Sequence, residues 1–173
     1  MCGKTFKKEH NGARGQCTVA KESRPHYATY METHRAHTRT TNVDEAITTP
    51  EVVADDPRGV IEKLAEGNFQ SVLRITSKAG TVRANHYHKQ DSHTCYLVKG
   101  KIEYVTRDAL NETAPLERVM IEPGHVFYTP PMLAHAMVFV EDSEFYCFTT
   151  SSRHTQAEYE DDIVRVTLVA PTA

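Results

Sequence analysis

From about residue 48 onward, apolar and polar positions alternate in short runs, and most runs end at a cluster of Gly, Pro, Asn or Asp. This pattern predicts strands at 50–54, 60–64, 69–76, 82–88, 94–98, 101–106, 117–121, 126–129, 134–140, 144–149 and 163–168. Strands recurring this often, with no long amphipathic helix between them, exclude a doubly wound α/β fold and predict an all-β double-sheet jelly roll. One short helix is expected at 154–161, and its polarity places it on the surface. Residues 1–45 show no sustained period of 2 or 3.6 and are rich in Thr, Arg, Lys and His. They predict a polar N-terminal arm, disordered or exchanged in a dimer, ahead of a domain over 46–173. His34 and His37 in that arm would share a helix face, but a solvated arm is the simpler reading.

The strand period also sorts the histidines. Residues two apart on a strand share a face, so His86 and His88 project together. Lys89-Gln90-Asp91-Ser92 turns the chain into a second strand that opens at His93. A fourth imidazole, His135, follows the rigid turn of Pro130-Pro131. A single strand histidine is more often structural than ligating, but four at these spacings favour a metal site held by His86, His88, His93 and His135. Four neutral imidazoles would leave a divalent ion its full charge and hence a strong Lewis acid. The donor set suits Zn, Fe, Ni or Cu, with Mn less favoured, and does not choose among them. Period 2 from His93 sends Cys95 and Leu97 inward, and from His135 it sends Met137 and Phe139 inward as an apolar wall. Asp91 is expected as a turn residue able to orient a neighbouring imidazole. Tyr87, Tyr96, Tyr104 and Tyr128 supply phenols near the same place.

Composition narrows the setting. The 173 residues are 39% hydrophobic, with no apolar run near the ~20 residues that a membrane-crossing helix needs. The basic start has no apolar stretch behind it, so no secretory signal is read and a cytoplasmic location is expected. Four cysteines at wide, irregular spacing fit reduced thiols better than a disulfide framework. A formal net charge of -3 argues against a dedicated nucleic-acid partner.

Gly80, His86, Tyr87, His88, His93 and Gly100 together resemble the first cupin motif, and Pro123-Gly124 through Pro130-Pro131 to His135 resembles the second. The flanking Asp56-Pro57-Arg58-Gly59-Val60 and the run from Thr76 to His88 resemble the sugar-nucleotide cupins. These include the dTDP-4-keto-6-deoxyhexose 3,5-epimerases, the dTDP-sugar 3,4-ketoisomerases and, nearest by motif, the cupin epimerase domain of the bifunctional capsular-polysaccharide reductase/epimerase. The likeness covers roughly residues 56–168. It implies a cupin jelly-roll barrel, a homodimer, and an epimerase or isomerase acting on a keto-sugar or nucleotide-sugar. It also implies substrate contacts from Arg58, Arg83, Lys89 and Tyr128. In a metal-free enzyme it implies an acid/base pair at His86 and His88. His93 stands where metal-binding cupins carry glutamate and the ketoisomerases glutamine. That departure keeps open a metal-dependent dioxygenase or oxidase with an all-histidine site, and beyond it a non-catalytic sugar-binding cupin.

Overall fold

A computed structural model describes residues 46–170, so the expectations on the arm at 1–45 lie outside the described residues. The alternating pattern folds into twelve strands: β1 (Ile47–Thr48), β2 (Glu51–Asp56), β3 (Gly59–Lys63), β4 (Ser71–Ser77), β5 (Val82–His88), β6 (His93–Lys99), β7 (Ile102–Asp108), β8 (Glu117–Ile121), β9 (Val126–Thr129), β10 (Leu133–Phe139), β11 (Ser143–Thr149) and β12 (Ile163–Arg165). One sheet runs β1-β9-β6-β11-β4, the other β12-β5-β10-β7-β8, and β2-β3 form a separate hairpin. Every strand pairing is antiparallel, as a jelly roll requires. Helix α1 (Gln156–Asp162) is the short polar surface helix expected. The Thr155 side chain caps it by accepting the Glu158 N–H at 3.2 Å.

The two five-stranded sheets bury their facing side chains against each other. Leu97, Phe127 and Phe145 come from one sheet and Ile102, Tyr104, Ile121 and Phe139 from the other. Tyr104 and Thr129 join their hydroxyls across this core at 2.6 Å. A second apolar cluster lies on the outer side of the β5-β10-β7 sheet, where alternation turns Val105, Ala134 and Ala136 away from the first core. Leu168, with Val166 and Val169, covers it, and the Asn85 side chain pins that segment by accepting the Leu168 and Val169 N–H groups. The strand expected at 163–168 is therefore shorter than its apolar run, because after Val166, whose N–H still donates to the Asn85 carbonyl, the chain leaves the β5 ladder to cover this face. Among the described residues, no helix is long and apolar enough to cross a membrane.

Candidate active site

A bulge in β5 positions the site. Its register with β10 pairs His86 with His135 but Ala84 with Ala136, leaving Asn85 as the extra residue. Ala84 and Asn85 adopt φ of 66° and 54°, a region that side-chain-bearing residues rarely occupy. Bulges of this kind re-aim side chains beside functional sites. Above the bulge the inward residue is Arg83, opposite Met137; below it the inward residues are His86 and His88. Strict period 2 would have sent Arg83 outward, so the bulge brings all three to one face. At the far end of β5, the His88 carbonyl accepts the Met132 N–H at 2.8 Å, tying down the turn that leads to His135.

His86, His88 and His135 converge, all buried, with one ligand-capable atom from each within 4.8 Å of the others. His88 donates its Nδ1–H to Asp162 Oδ2 at 2.7 Å, and His135 donates its Nδ1–H to the Leu133 carbonyl at 3.0 Å. Both rings therefore keep an unprotonated Nε2. The His88 Nε2 lies 3.1 Å from His86 Nε2, so the His86 N–H donates to it. His86 Nδ1 is then left buried with no partner. Burial pushes His86 down to about 3 and His88 down to about 4, reinforced by the charges of the neighbouring rings; His135 is lowered by burial as well. All three are neutral at pH 7, in the form that accepts a proton or binds an ion.

His93 stands beside this trio, its ring 4.3 Å from that of His88, but its Nε2 is engaged elsewhere. Asp91 Oδ2 lies 3.1 Å from it and Arg153 Nη2 2.7 Å. Asp91 is fully buried and also accepts from Thr150 Oγ1, the Ser151 N–H and Arg153 Nη2. Burial presses His93 down while Asp91 pulls it up, and the pull wins at about 9. The permanently charged Arg153 instead requires a lone pair on that Nε2. Asp91 and Arg153 thus compete for one nitrogen: His93 Nε2 donates to Asp91 only when it carries the proton and accepts from Arg153 only when it does not. Arg153 also lies over the Tyr159 ring, 4.4 Å from its centroid, in a cation–π contact.

His86, His93, His135, Arg153 and Tyr159 line a cavity of about 380 Å³, while His88 and Asp91 are not among its lining residues. Leu73, Ile75, Met137 and Phe145 make its apolar wall, and Thr155, Gln156 and Tyr159 of the α1 region line it as well. Cys95 and Met137 face it as the strand period predicts, while Leu97 and Phe139 pack into the core beneath. Of the four residues expected to contact substrate, Arg83 lines the cavity, its guanidinium held by Ser77 Oγ at 2.6 Å and the Thr76 carbonyl at 3.2 Å. Lys89 and Tyr128 are not among the lining residues. Arg58 sits in the exposed β2–β3 turn, its side chain 89% exposed and paired with Asp56. Asp162 and Arg153 escaped the sequence reading. Asp162 reaches His88 because β12 pairs with β5 and sets Ile163 opposite His88, a long-range register with no local signal.

None of the curated proteins matches this chain. Solved structures resemble it in fold. The dTDP-4-dehydrorhamnose 3,5-epimerase of Sulfolobus tokodaii is 20% identical, over 70% of this chain and 76% of that one, with a TM-score of 0.55. The sugar 3,4-ketoisomerase of Thermoanaerobacterium thermosaccharolyticum, solved with TDP, is 16% identical, over 70% of this chain and 88% of that one, at 0.55. An epimerase of Mycobacterium tuberculosis is 17% identical, over 73% and 77%, also at 0.55. At such identities the likeness speaks for the fold. The family described as Cupin matches residues 61–166, more than half of the sequence. With that match, and with the two-sheet jelly roll that carries both histidine motifs, the chain belongs to the cupin family.

Proposed function

We propose that this protein is an epimerase or isomerase that moves a proton beside the carbonyl of a keto-sugar, carried as a sugar nucleotide. The observation that carries the reading is the buried Asp162–His88–His86 chain, which reaches the cavity wall at His86. Asp162 fixes the His88 tautomer and steadies the positive charge that the ring takes up with a proton. His86, hydrogen-bonded to His88, can pass that proton on, which a reaction needs when the proton returns to another face or carbon. Arg153 and Arg83 supply positive charge for an enediolate oxygen or for phosphate. The structural neighbours that act on dTDP-sugars support this substrate class.

A second reading rests on the same three rings. With Nδ1 of His88 and His135 already committed as donors, their Nε2 lone pairs fit a divalent first-row ion. His86 joins them by turning its unpartnered Nδ1 into the N–H. The 3.1 Å between His86 Nε2 and His88 Nε2 matches the spacing of two donors around one ion with bonds of roughly 2.0–2.1 Å, and a nitrogen of His135 lies within 4.8 Å of both rings' ligand atoms. His86, His88 and His135 would hold the ion, with His93 beside it on Asp91. Such an ion supplies Lewis acidity toward a carbonyl oxygen or, if redox-active, a site for oxygen. A homodimer belongs to this proposal too: Val52, Val53, Val60 and Ile61 of the β2–β3 hairpin are all more than half exposed.

The test is incubation with dTDP-4-keto-6-deoxyglucose in deuterated water, with and without chelator, followed by mass spectrometry of the sugar. Deuterium at carbons beside the ketone, retained with chelator and lost in His88→Asn, is the expected result. Loss with chelator alone, restored by one metal, would support the metal reading. No exchange under any condition would overturn the epimerase assignment.

A further inference from the structure

Two thiols of the cavity wall take no part in the proton chain. Cys95 on β6 and Cys147 on β11 are direct partners in the antiparallel register of these strands. Both are free, both are buried, and both line the cavity. Residues directly opposite in an antiparallel ladder stand about 4.5–5.5 Å apart at Cα. A disulfide spans roughly 4.4–6.8 Å between Cα atoms, so this register brings the two residues within its reach. Their side chains share the inward face, as the neighbouring Leu97–Phe145 pair does. The cavity gives a solute of a few atoms a path to sulfurs that are otherwise shielded from thiols of other molecules.

We propose that Cys95 and Cys147 are a modification site for small peroxides, a dithiol in the cavity wall that closes into an intramolecular disulfide. One sulfur, deprotonated, attacks a peroxide oxygen; the O–O bond breaks, hydroxide leaves and a sulfenic acid forms. The second sulfur attacks the first, the S–O bond breaks, and the departing hydroxide takes the second thiol's proton to become water. Two thiols lose two electrons and hydrogen peroxide ends as two waters. The inference stands independently of the proton-transfer reading.

The experiment uses the full reduced chain, treated with hydrogen peroxide, quenched with N-ethylmaleimide and digested with trypsin without reduction. Trypsin separates the two cysteines, because Lys89, Lys99, Arg118 and Arg153 bracket them in different peptides, away from Cys2 and Cys17. A cross-linked pair joining Cys95 to Cys147, lighter by two hydrogens than the two free peptides, is the expected product. It should vanish in Cys95→Ser and in Cys147→Ser. The same treatment in denaturant should scatter the cross-links among all four cysteines. Recovery of both as maleimide adducts from the folded chain would overturn the proposal. So would accumulation of a sulfinic acid on one with the other intact, or a folded chain no more selective than the unfolded one.

Discussion

Lowering the pH from 7 to 5 should destabilise the chelator-treated protein far more than a surface histidine could. His86 and His88 are 5% and 1% exposed, and burial holds them at about 3 and about 4, against an ordinary value of 6.5. In the unfolded chain both take up a proton as the pH falls through 6.5; in the fold neither does until near pH 4. Between those values the unfolded state binds more protons, so stability falls as the pH falls. At pH 5 the cost is RT ln(1 + 10^1.5), about 2 kcal/mol for each ring, or about 4 kcal/mol for the pair. Because both rings are still neutral in the fold at pH 5, this figure depends on the unfolded value and hardly on how far burial depresses the folded one. His135, lowered by burial, adds to the loss, while His93, raised to about 9, works in the opposite direction, and both cancel in the comparison with a His86 variant. The assay is urea unfolding followed by circular dichroism at pH 7, 6 and 5 with chelator present, for the parent and for His86→Gln. With a urea dependence of about 2 kcal/mol per molar, each histidine moves the midpoint by about 1 M. Glutamine does not titrate, so the variant should lose about 2 kcal/mol less than the parent between pH 7 and 5. Equal pH slopes for the two proteins would refute the reasoning, since His86 would then be taking its proton inside the fold near pH 6.5.

Three substitutions test other parts of the structure. Gly100→Ala should destabilise by about 2 kcal/mol or more in the same unfolding assay, because φ is +92° and an added Cβ would meet Ser143 Oγ, with the Asp142 carbonyl and Ser143 Cα each at 2.6 Å; a loss under about 0.5 kcal/mol would contradict this packing. Ala84→Gly should raise stability by up to about 1 kcal/mol by removing the Cβ from a residue at φ 66°, and a clear loss would show that the bulge is not strained there. Asp162→Asn should lower kcat for deuterium exchange by about 10–100-fold with little change in KM, since it weakens the hold on the His88 tautomer without touching the cavity wall; an unchanged kcat would remove Asp162 from the mechanism.

The sequence carried the architecture because burial of one sheet face leaves a local trace. The strands from Val82 to Thr149 follow it within a few residues, and the inward positions counted from His93 and His135 hold through Cys95, Leu97, Met137 and Phe139. The convergence of His86, His88 and His135 follows from the same parity. What the period could not carry was its own interruption. One extra residue at Asn85 reverses the parity of β5, so Arg83 enters the cavity although counting back from His86 sends it outward. Ala and Asn give no warning of that bulge, where a glycine would have. The partners of the site depend on still longer separations. Asp162 meets His88 across 74 residues and Arg153 meets Asp91 across 62, both from a polar stretch that reads as ordinary surface.

That stretch recasts the four-histidine pattern. In sequence, His93 is one of four equivalent imidazoles; in the fold, Asp91 and Arg153 meet its Nε2, so that it groups with His88 and Asp91 while His86, His88 and His135 form the all-imidazole set. A buried carboxylate needs every partner it can hold, and Asp91 accepts from Thr150, Ser151 and Arg153 of the segment after β11, with His93 Nε2 of β6 3.1 Å away. Freeing His93 to complete an ion's shell would take one partner from that network, and the ring would have to turn away from a charged pair that is 1% exposed at the carboxylate and 16% at the guanidinium. The arrangement therefore favours a site of three histidines with a fixed charged neighbour. It also places the Arg153 cation, oriented by Asp91 and by the Tyr159 ring, beside the imidazoles that would exchange a proton with substrate.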